Sequence, residues 1–389
     1  MTQLAAGFHQ ETSVMDCHQE ILDEYVYEFL ANEEAATKGE KCVFDEIYLP
    51  VLKKQGADFI NLSVGGDHVA QVMYSASEFR FWDAHKKLDV LNSELEAGCQ
   101  SFILCRTAQD IDQAIKEKKV GLLATISGGR PLMGKQNLNL LSSLRSLYRM
   151  GLRGLQLTGN GRNRLGDGVA QNRSRGQLTS FGEKVVKEAD RLGMVIDTAQ
   201  LSDAGFYDLI SLSKNPIIDS HSCAKKVNPH PRNIDDQRIK AIADRGGVIA
   251  VSFWAALVDQ EKEVPDAEDL IRHIDHIVNL VGIDHVALGP DYCAYQTPVD
   301  RDILKGFANL GPDYGEFNRL TPVQSEKYPG YVEGIWYGIR KSDFISGPET
   351  QESFPEITQS LLNHGVSESE CQKILGDNML RVYREVLDQ

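Results

Sequence analysis

Eight short apolar runs recur along the chain, and between them the apolar positions fall at helical spacing. The first is Ser13-Val14-Met15, which leads into Asp16-Cys17-His18-Gln19-Glu20. Then come Asp58–Val64, Val120–Ile126, Leu152–Leu157, Met194–Thr198, Pro216–Asp219, Gly247–Phe253 and His285–Gly289. Short runs rich in Val, Ile and Leu that end in turn residues read as strands. Helical patterns over 21–36, 68–98, 107–118, 137–150, 179–192 and 266–281 separate most of them, and Thr179 with Glu183 behind it predicts a helix start. Strands that alternate with helices pair in parallel, and eight such units predict a closed (β/α)8 barrel of the TIM type. A doubly wound open sheet is the other arrangement this pattern allows. It usually carries a Gly-rich phosphate loop after its first strand, and Asp-Cys-His-Gln-Glu is not one.

After the eighth run the pattern breaks. Residues 292–350 are rich in aromatics, glycines and prolines, and helical spacing resumes over 354–364 and 367–388. With no linker-like composition, residues 1–389 read as one barrel domain. Within it, 292–350 is an insertion at the rim, as either a lid or a packed loop, and 354–388 supplies C-terminal helices.

Charge changes the picture only by exclusion. A formal net charge of −15 argues against nucleic acid or an anionic membrane as partner. Seven cysteines without CxxC spacing suit a reducing compartment better than a disulfide framework. No secretory leader or spanning segment is legible, so a cytoplasmic location is expected.

Candidate chemistry gathers where the predicted strands end, which in a barrel is the catalytic face. His18 and Glu20 alternate on the first strand and share a face, together with Asp16. His221 follows the sixth strand, with Asp219 on its side, and Asp291 follows the eighth. Imidazoles and carboxylates converging at one mouth suit Zn2+ or a similar divalent ion, with Asp291 moving the proton of an activated water. The alternative for each residue alone is a hydrogen-bonded structural group. Arg162, Arg164, Arg173 and Arg175, after the fourth strand, form either an anion grip or a solvated loop. Arg232, close behind His221, is the better candidate to hold a substrate carboxylate. Cys17 should turn away from His18 into the core, and Cys223 and Cys293 are remote ligand candidates.

These segments resemble the membrane (renal) dipeptidase family of zinc peptidases over about residues 12–388. The resemblance rests on Leu178-Thr179-x-Phe181-Gly182, Ser220-His221-Ser222, His230-Pro231-Arg232-Asn233, Gly247–Phe253, His285–Asp291 and Ile374-Leu375-Gly376-Asp377-Asn378. It implies a barrel of the metallo-dependent hydrolase type, two zinc ions with a bridging water, dipeptide cleavage and, in many members, a homodimer. Position by position it is incomplete. The family's first-strand His-x-Asp appears as His18-Gln19-Glu20. Its zinc-bridging Glu falls on Ser127 and its histidine after strand five on Gln200. Its substrate-contacting histidine falls on Gly159. His221, Arg232 and Asp291 match.

Two readings follow. In the first, a dipeptidase-like hydrolase holds one ion in place of two through His18, Glu20, His221 and Asp291, with His221 and Asp291 catalytic. Arg232, Gln200, Ser127 and Gly159 then line the site of a small substrate bearing a carboxylate. In the second, the barrel holds no metal and serves non-hydrolytic acid/base chemistry (lyase, isomerase or cyclisation) or a binding role.

Overall fold

The computed structural model describes the chain apart from residues 1–6, 9–10, 21–25, 27–28, 68–77, 134–139, 263–264, 294–352 and 389. The segment 292–350 therefore falls outside the described residues from 294 onward.

Among the described residues the paired strands all run parallel. In chain order the strands are β1 (Met15–Glu20), β2 (Phe59–Gly66), β3 (Phe102–Leu104), β4 (Val120–Ser127), β5 (Leu152–Gln156), β6 (Val195–Asp197), β7 (Ile217–Ser222), β8 (Val248–Val251), β9 (Val286–Leu288) and β10 (Tyr292–Cys293). Their lateral order runs β10-β1-β2-β4-β5-β6-β7-β8-β9. The last barrel strand is in two pieces. Its first half, β9, pairs with β8, and its second half, β10, pairs Gln19 with Tyr292 and Glu20 with Cys293. The break at Gly289-Pro290-Asp291 lets one strand serve two edges and bring the ring to near closure. All eight expected strands are present.

β3 was not expected. It pairs with the first residues of β4, Phe102 opposite Val120 through Leu104 opposite Leu122, and β5 takes over the same edge from Ala124. Three residues are too few to show a period, which is why the run escapes sequence reading.

Two apolar layers follow from strand alternation. Outward residues such as Ile60, Leu62, Leu122, Ala124, Ile196 and Ile217 pack under the helices. Inward residues Met15, Cys17, Phe59, Leu123, Val195, Ile218, Val248, Ala250 and Ala287 fill the barrel. The C-terminal helix Asn378–Leu387 adds Met379, Leu380, Val382, Tyr383 and Val386 to that inner layer. It thereby occupies the end of the barrel where strands begin and leaves polar residues to the end where they finish. Thr179 caps helix Ser180–Leu192 as expected, accepting from the Gly182 amide at 3.1 Å.

One cysteine expectation changes. Cys42 and Cys99 are joined as a disulfide with Cα atoms 5.8 Å apart. Their separation of 57 residues hides the pairing from sequence reading. Cys17, Cys105, Cys223 and Cys371 are buried and unbridged. Among the described residues, no helix is long and apolar enough to cross a membrane.

His273 shows how the outer layer is pinned. Its Nδ1 accepts from the Ala224 amide at 3.1 Å and its Nε2 donates to the Val258 carbonyl at 2.8 Å. A neutral imidazole satisfies both bonds, and burial pushes its pKa down from 6.5 to about 4 against the pull of the Val258 bond. The unfolded chain therefore binds the extra proton between these values. The stability this residue contributes is complete above pH 6.5 and is lost as pH falls toward 4. Wild-type protein should lose about 2 kcal/mol more than His273→Gln between pH 7 and pH 5 in urea titrations. Equal losses in the two proteins would remove His273 as the cause.

Candidate metal centre

Two β-bulges place the histidines. Between β1 and β2, Asp16 pairs with Ile60 and Gln19 with Leu62, so one extra residue sits in β1 at Cys17-His18. Between β7 and β8, Asp219 pairs with Ile249 and Ser222 with Val251, so one extra residue sits at Ser220-His221. A bulge re-aims side chains at barrel rims. Cys17 stays inside the barrel, and His18 still reaches the mouth. The same bulges correct two alternation arguments. Asp16 does not join the cluster; it accepts from the His18 amide and from Gln19 Nε2, both at 3.0 Å. Asp219 accepts from Thr198 Oγ1 at 3.2 Å and lies 3.9 Å from Arg238, away from His221.

Around His18 the donors converge. Its Nε2 lies 3.6 Å from Glu20 Oε1, 3.7 Å from Asp291 Oδ1 and 3.5 Å from Ser127 Oγ. The His221 ring stacks on the His18 ring, with centroids 3.9 Å apart and planes at 26°. Ser220 lies beneath both. Its Oγ is 2.6 Å from His221 Nδ1 and 3.4 Å from His18 Nδ1, and it donates to Asp197 Oδ2. Among the described residues, His18, Asp197 and His221 offer ligand atoms within 4.8 Å of one another. Asp197 and Ser220 were not singled out from the sequence. The signal for Asp197 was its place at the end of the fifth predicted strand, the rule that selected the other candidates.

The electrostatics follow from burying several charges together. Burial pulls the His18 imidazole down, but the Glu20 hydrogen bond and the charges of Asp291, Glu20 and Asp197 outweigh it and raise its pKa to about 9. Burial lifts Asp291 to about 7, opposed by the charges on His18 and Arg232. Burial and the nearby Asp219 charge lift Asp197 to about 6. Such a set favours a cation held among the carboxylates, whether a proton or a metal ion.

The donor set also suits a metal geometrically. Two donors each about 2.1 Å from a tetrahedral ion stand about 3.4 Å apart, and the His18 spacings to Glu20 and Asp291 are close to that. The Asp197–Ser220–His221 chain is the outer support a ligating imidazole needs, since it holds the Nδ1 proton and leaves Nε2 as the donor atom.

The remaining candidates divide. Arg232 is buried; its Nη1 donates to Ser222 Oγ at 2.7 Å and its Nη2 to the His221 carbonyl at 2.9 Å. It is thus bolted directly behind the bulge. Ser127 Oγ also donates to Ser63 Oγ at 2.8 Å. Gln200 Oε1 accepts from Gln156 Nε2 at 3.0 Å. Gln200 and Asp291 both sit at φ 65°, a left-handed backbone uncommon for these residue types and frequent at working sites. Gly159 lies in the loop after β5, its amide donating to Asp67 at 3.0 Å, and has no side chain to offer. In that loop Arg162 pairs with Asp167 and Arg164 lies 4.8 Å over Phe181, while Arg173 and Arg175 are exposed. Cys223 donates to the Ser252 carbonyl at 3.3 Å, and burial pushes its thiol pKa up, so it is a core residue. The Cys293 side chain lies outside the described residues.

A parallel barrel with imidazoles and carboxylates gathered where its strands end has the layout of a metal-dependent hydrolase. The family model described as membrane dipeptidase (peptidase family M19) matches residues 12–306, and the chain belongs to that family. At this level it is a metal-dependent, dipeptidase-like hydrolase. It is 29% identical over 235 residues to an uncharacterized protein of the pqqA 5' region of Klebsiella pneumoniae; the match covers 58% of this chain and 84% of that one. It is 25% identical over 311 residues to dipeptidase tcpJ of Claviceps purpurea, which covers 79% of this chain but only 60% of that protein. Among solved structures, an amidohydrolase of Pseudomonas aeruginosa superposes with a TM-score of 0.72 at 22% identity, covering 99% of both chains. A metallo peptidase of Rhodobacter sphaeroides, solved with a phosphinate mimic of L-Ala-D-Ala, superposes with a TM-score of 0.70 at 19% identity, covering 96% of this chain and 99% of that one. These likenesses carry the fold.

Proposed function

We propose that the protein hydrolyses a small dipeptide or amino-acid-derived amide with a single divalent ion, zinc by its donor chemistry. The observation that carries this reading is the spacing at His18, where Nε2 faces Glu20 and Asp291 at 3.6 and 3.7 Å. Ser127, 3.5 Å from His18 Nε2, and Gln200, bonded to Gln156, are neutral and supply no anionic or imidazole donor for a second ion. His18, Glu20 and Asp291 would hold the ion, with His221 beside them. When bound, the ion supplies Lewis acidity and activates water at neutral pH.

The chain's own residues do the rest. Arg232 has two of its five N–H groups engaged by Ser222 and His221, which fixes the guanidinium plane for a substrate carboxylate. Asp291, whose carboxylate stands 3.7 Å from His18 Nε2 at the mouth, takes the proton of the attacking water and returns it to the leaving amine. His221 is held in one tautomer by Ser220 and Asp197 and covers one face of His18.

Elemental analysis of protein purified without chelator and then offered zinc, run beside a dipeptide hydrolysis screen, tests the reading. About one ion per chain is expected, with hydrolysis lost to chelator and regained with zinc. Two ions would overturn the single-ion site. No ion together with no hydrolysis would overturn the function.

A further inference from the structure

The barrel register places one polar side chain at the mouth that neither the metal nor the proton chemistry uses. Ser127, Gln156 and Asp197 are directly paired across β4, β5 and β6. Residues opposite one another on adjacent strands share a face. Both neighbours of Gln156 face the site, since Ser127 Oγ lies 3.5 Å from His18 Nε2 and Asp197 holds Ser220 beneath the two imidazoles. Gln156 therefore faces it as well, and it is 1% exposed.

Its amide is oriented. Nε2 donates to the Thr158 carbonyl at 2.8 Å and to Gln200 Oε1 at 3.0 Å. A backbone carbonyl only accepts, so the nitrogen is fixed on that side and the oxygen on the other. That oxygen, Oε1, is buried and has no hydrogen-bond partner among the described residues. The same is true of Thr158 Oγ1 and Asn160 Oδ1, so unmet accepting capacity is concentrated at the end of this one strand. An unpartnered buried acceptor is costly unless a ligand completes it.

The geometry points to Gln156 as a specificity-determining residue, whose carbonyl oxygen accepts a hydrogen bond from the free amino group of the substrate. This deepens the hydrolase reading and rests on it. The partner must be a donor, because the available atom is an acceptor. Ser127, the register neighbour of Gln156, lies 3.5 Å from His18 Nε2, where Glu20 and Asp291 also converge, and an anionic mouth favours a protonated amine over a neutral donor. Arg232 takes the opposite charge, so the substrate would lie between a cation-accepting edge at β5 and the guanidinium behind β7. Gln200 acts through Gln156 as a positioning residue, by holding the amide nitrogen.

The test compares a dipeptide with its des-amino analogue, in which hydrogen replaces the amine. Wild-type protein should prefer the dipeptide in kcat/KM, and Gln156→Met, which keeps the volume and removes the acceptor, should cut that preference about tenfold or more. The loss should appear mainly in KM, with the des-amino rate and the ion content per chain unchanged. Gln200→Met should give a smaller loss in the same direction. An equal fall for both compounds, or an unchanged preference, would overturn the assignment. If wild-type protein cleaves neither compound, the hydrolase reading fails, and calorimetric binding of the same two compounds still decides on Gln156. A preference for the amine that disappears in Gln156→Met would uphold it, and no preference in the wild type would overturn it.

Discussion

His18→Ala is expected to empty the metal centre and to abolish hydrolysis while the barrel stays folded. His18 Nε2 is the atom that Glu20, Asp291 and Ser127 all face at 3.5–3.7 Å, so its removal leaves two carboxylates without their nitrogen donor. Loss of an outer-shell partner typically costs about 10–100-fold in metal affinity or activity. Loss of a donor atom should exceed that range. The fold should survive, because the apolar layer inside the barrel, from Met15 and Phe59 to Val382 and Tyr383, lies below the mouth and does not include His18. Ion content, circular dichroism and dipeptide turnover on the same preparation check the result. An ion retained at wild-type occupancy would mean that Asp197 and His221 hold it instead, since their ligand atoms also lie within 4.8 Å of His18.

That outcome bears on what could be read from the chain. Apolar runs mark all eight barrel strands because a parallel strand is buried on both faces and leaves a continuous signature. The candidates His18, Glu20, His221 and Asp291 were legible because each stands at a strand end. Which way they turn was not. Strict alternation puts Asp16 with His18 and Asp219 with His221, but an inserted residue in β1 and another in β7 break the period at those two points. No composition signal announces a bulge made of Cys17-His18 or Ser220-His221. Gly289 adds a constraint visible only in three dimensions. A Cβ there would stand 1.9 Å from the Ser220 carbonyl oxygen, so only glycine lets the end of β9 pass the bulge.

Asp197 and Gln156 were missed for a related reason. Within runs such as MVIDT and LRGLQLT a single polar residue reads as the end of a strand or as its solvated side. Its meaning comes from register, which sets it opposite Ser127 on one strand and beside Ser220 on another. Register is a long-range property, and here it decides which polar residues meet at the mouth.

Rebuilding the second ion position should be possible with two substitutions, Ser127→Glu and Gln200→His. Ser127 Oγ is 3.5 Å from His18 Nε2, so a carboxylate grown from that position reaches the edge of the site where His18 Nε2 points. Gln200 already has the left-handed backbone of its strand-end turn, and histidine tolerates that region better than most residues. The double variant should bind about two zinc ions per chain where the wild type binds about one. Without zinc it should be less stable than wild type, because it buries another carboxylate beside Glu20, Asp197 and Asp291. Its melting temperature should therefore rise more on zinc addition than that of the wild type, since binding to the folded state alone stabilises it by mass action. Neither single variant should do this, because each supplies one new donor and leaves the other neutral. A stoichiometry that stays near one in the double variant would show that more than residues 127 and 200 separates this mouth from a two-ion site. The direction of dipeptide turnover then assigns the role of the missing ion. Faster cleavage in the two-ion variant would mean that the wild type does the same chemistry with half the metal. Unchanged or slower cleavage would mean that Ser127 and Gln200, through Gln156, form a substrate pocket that a second ion displaces.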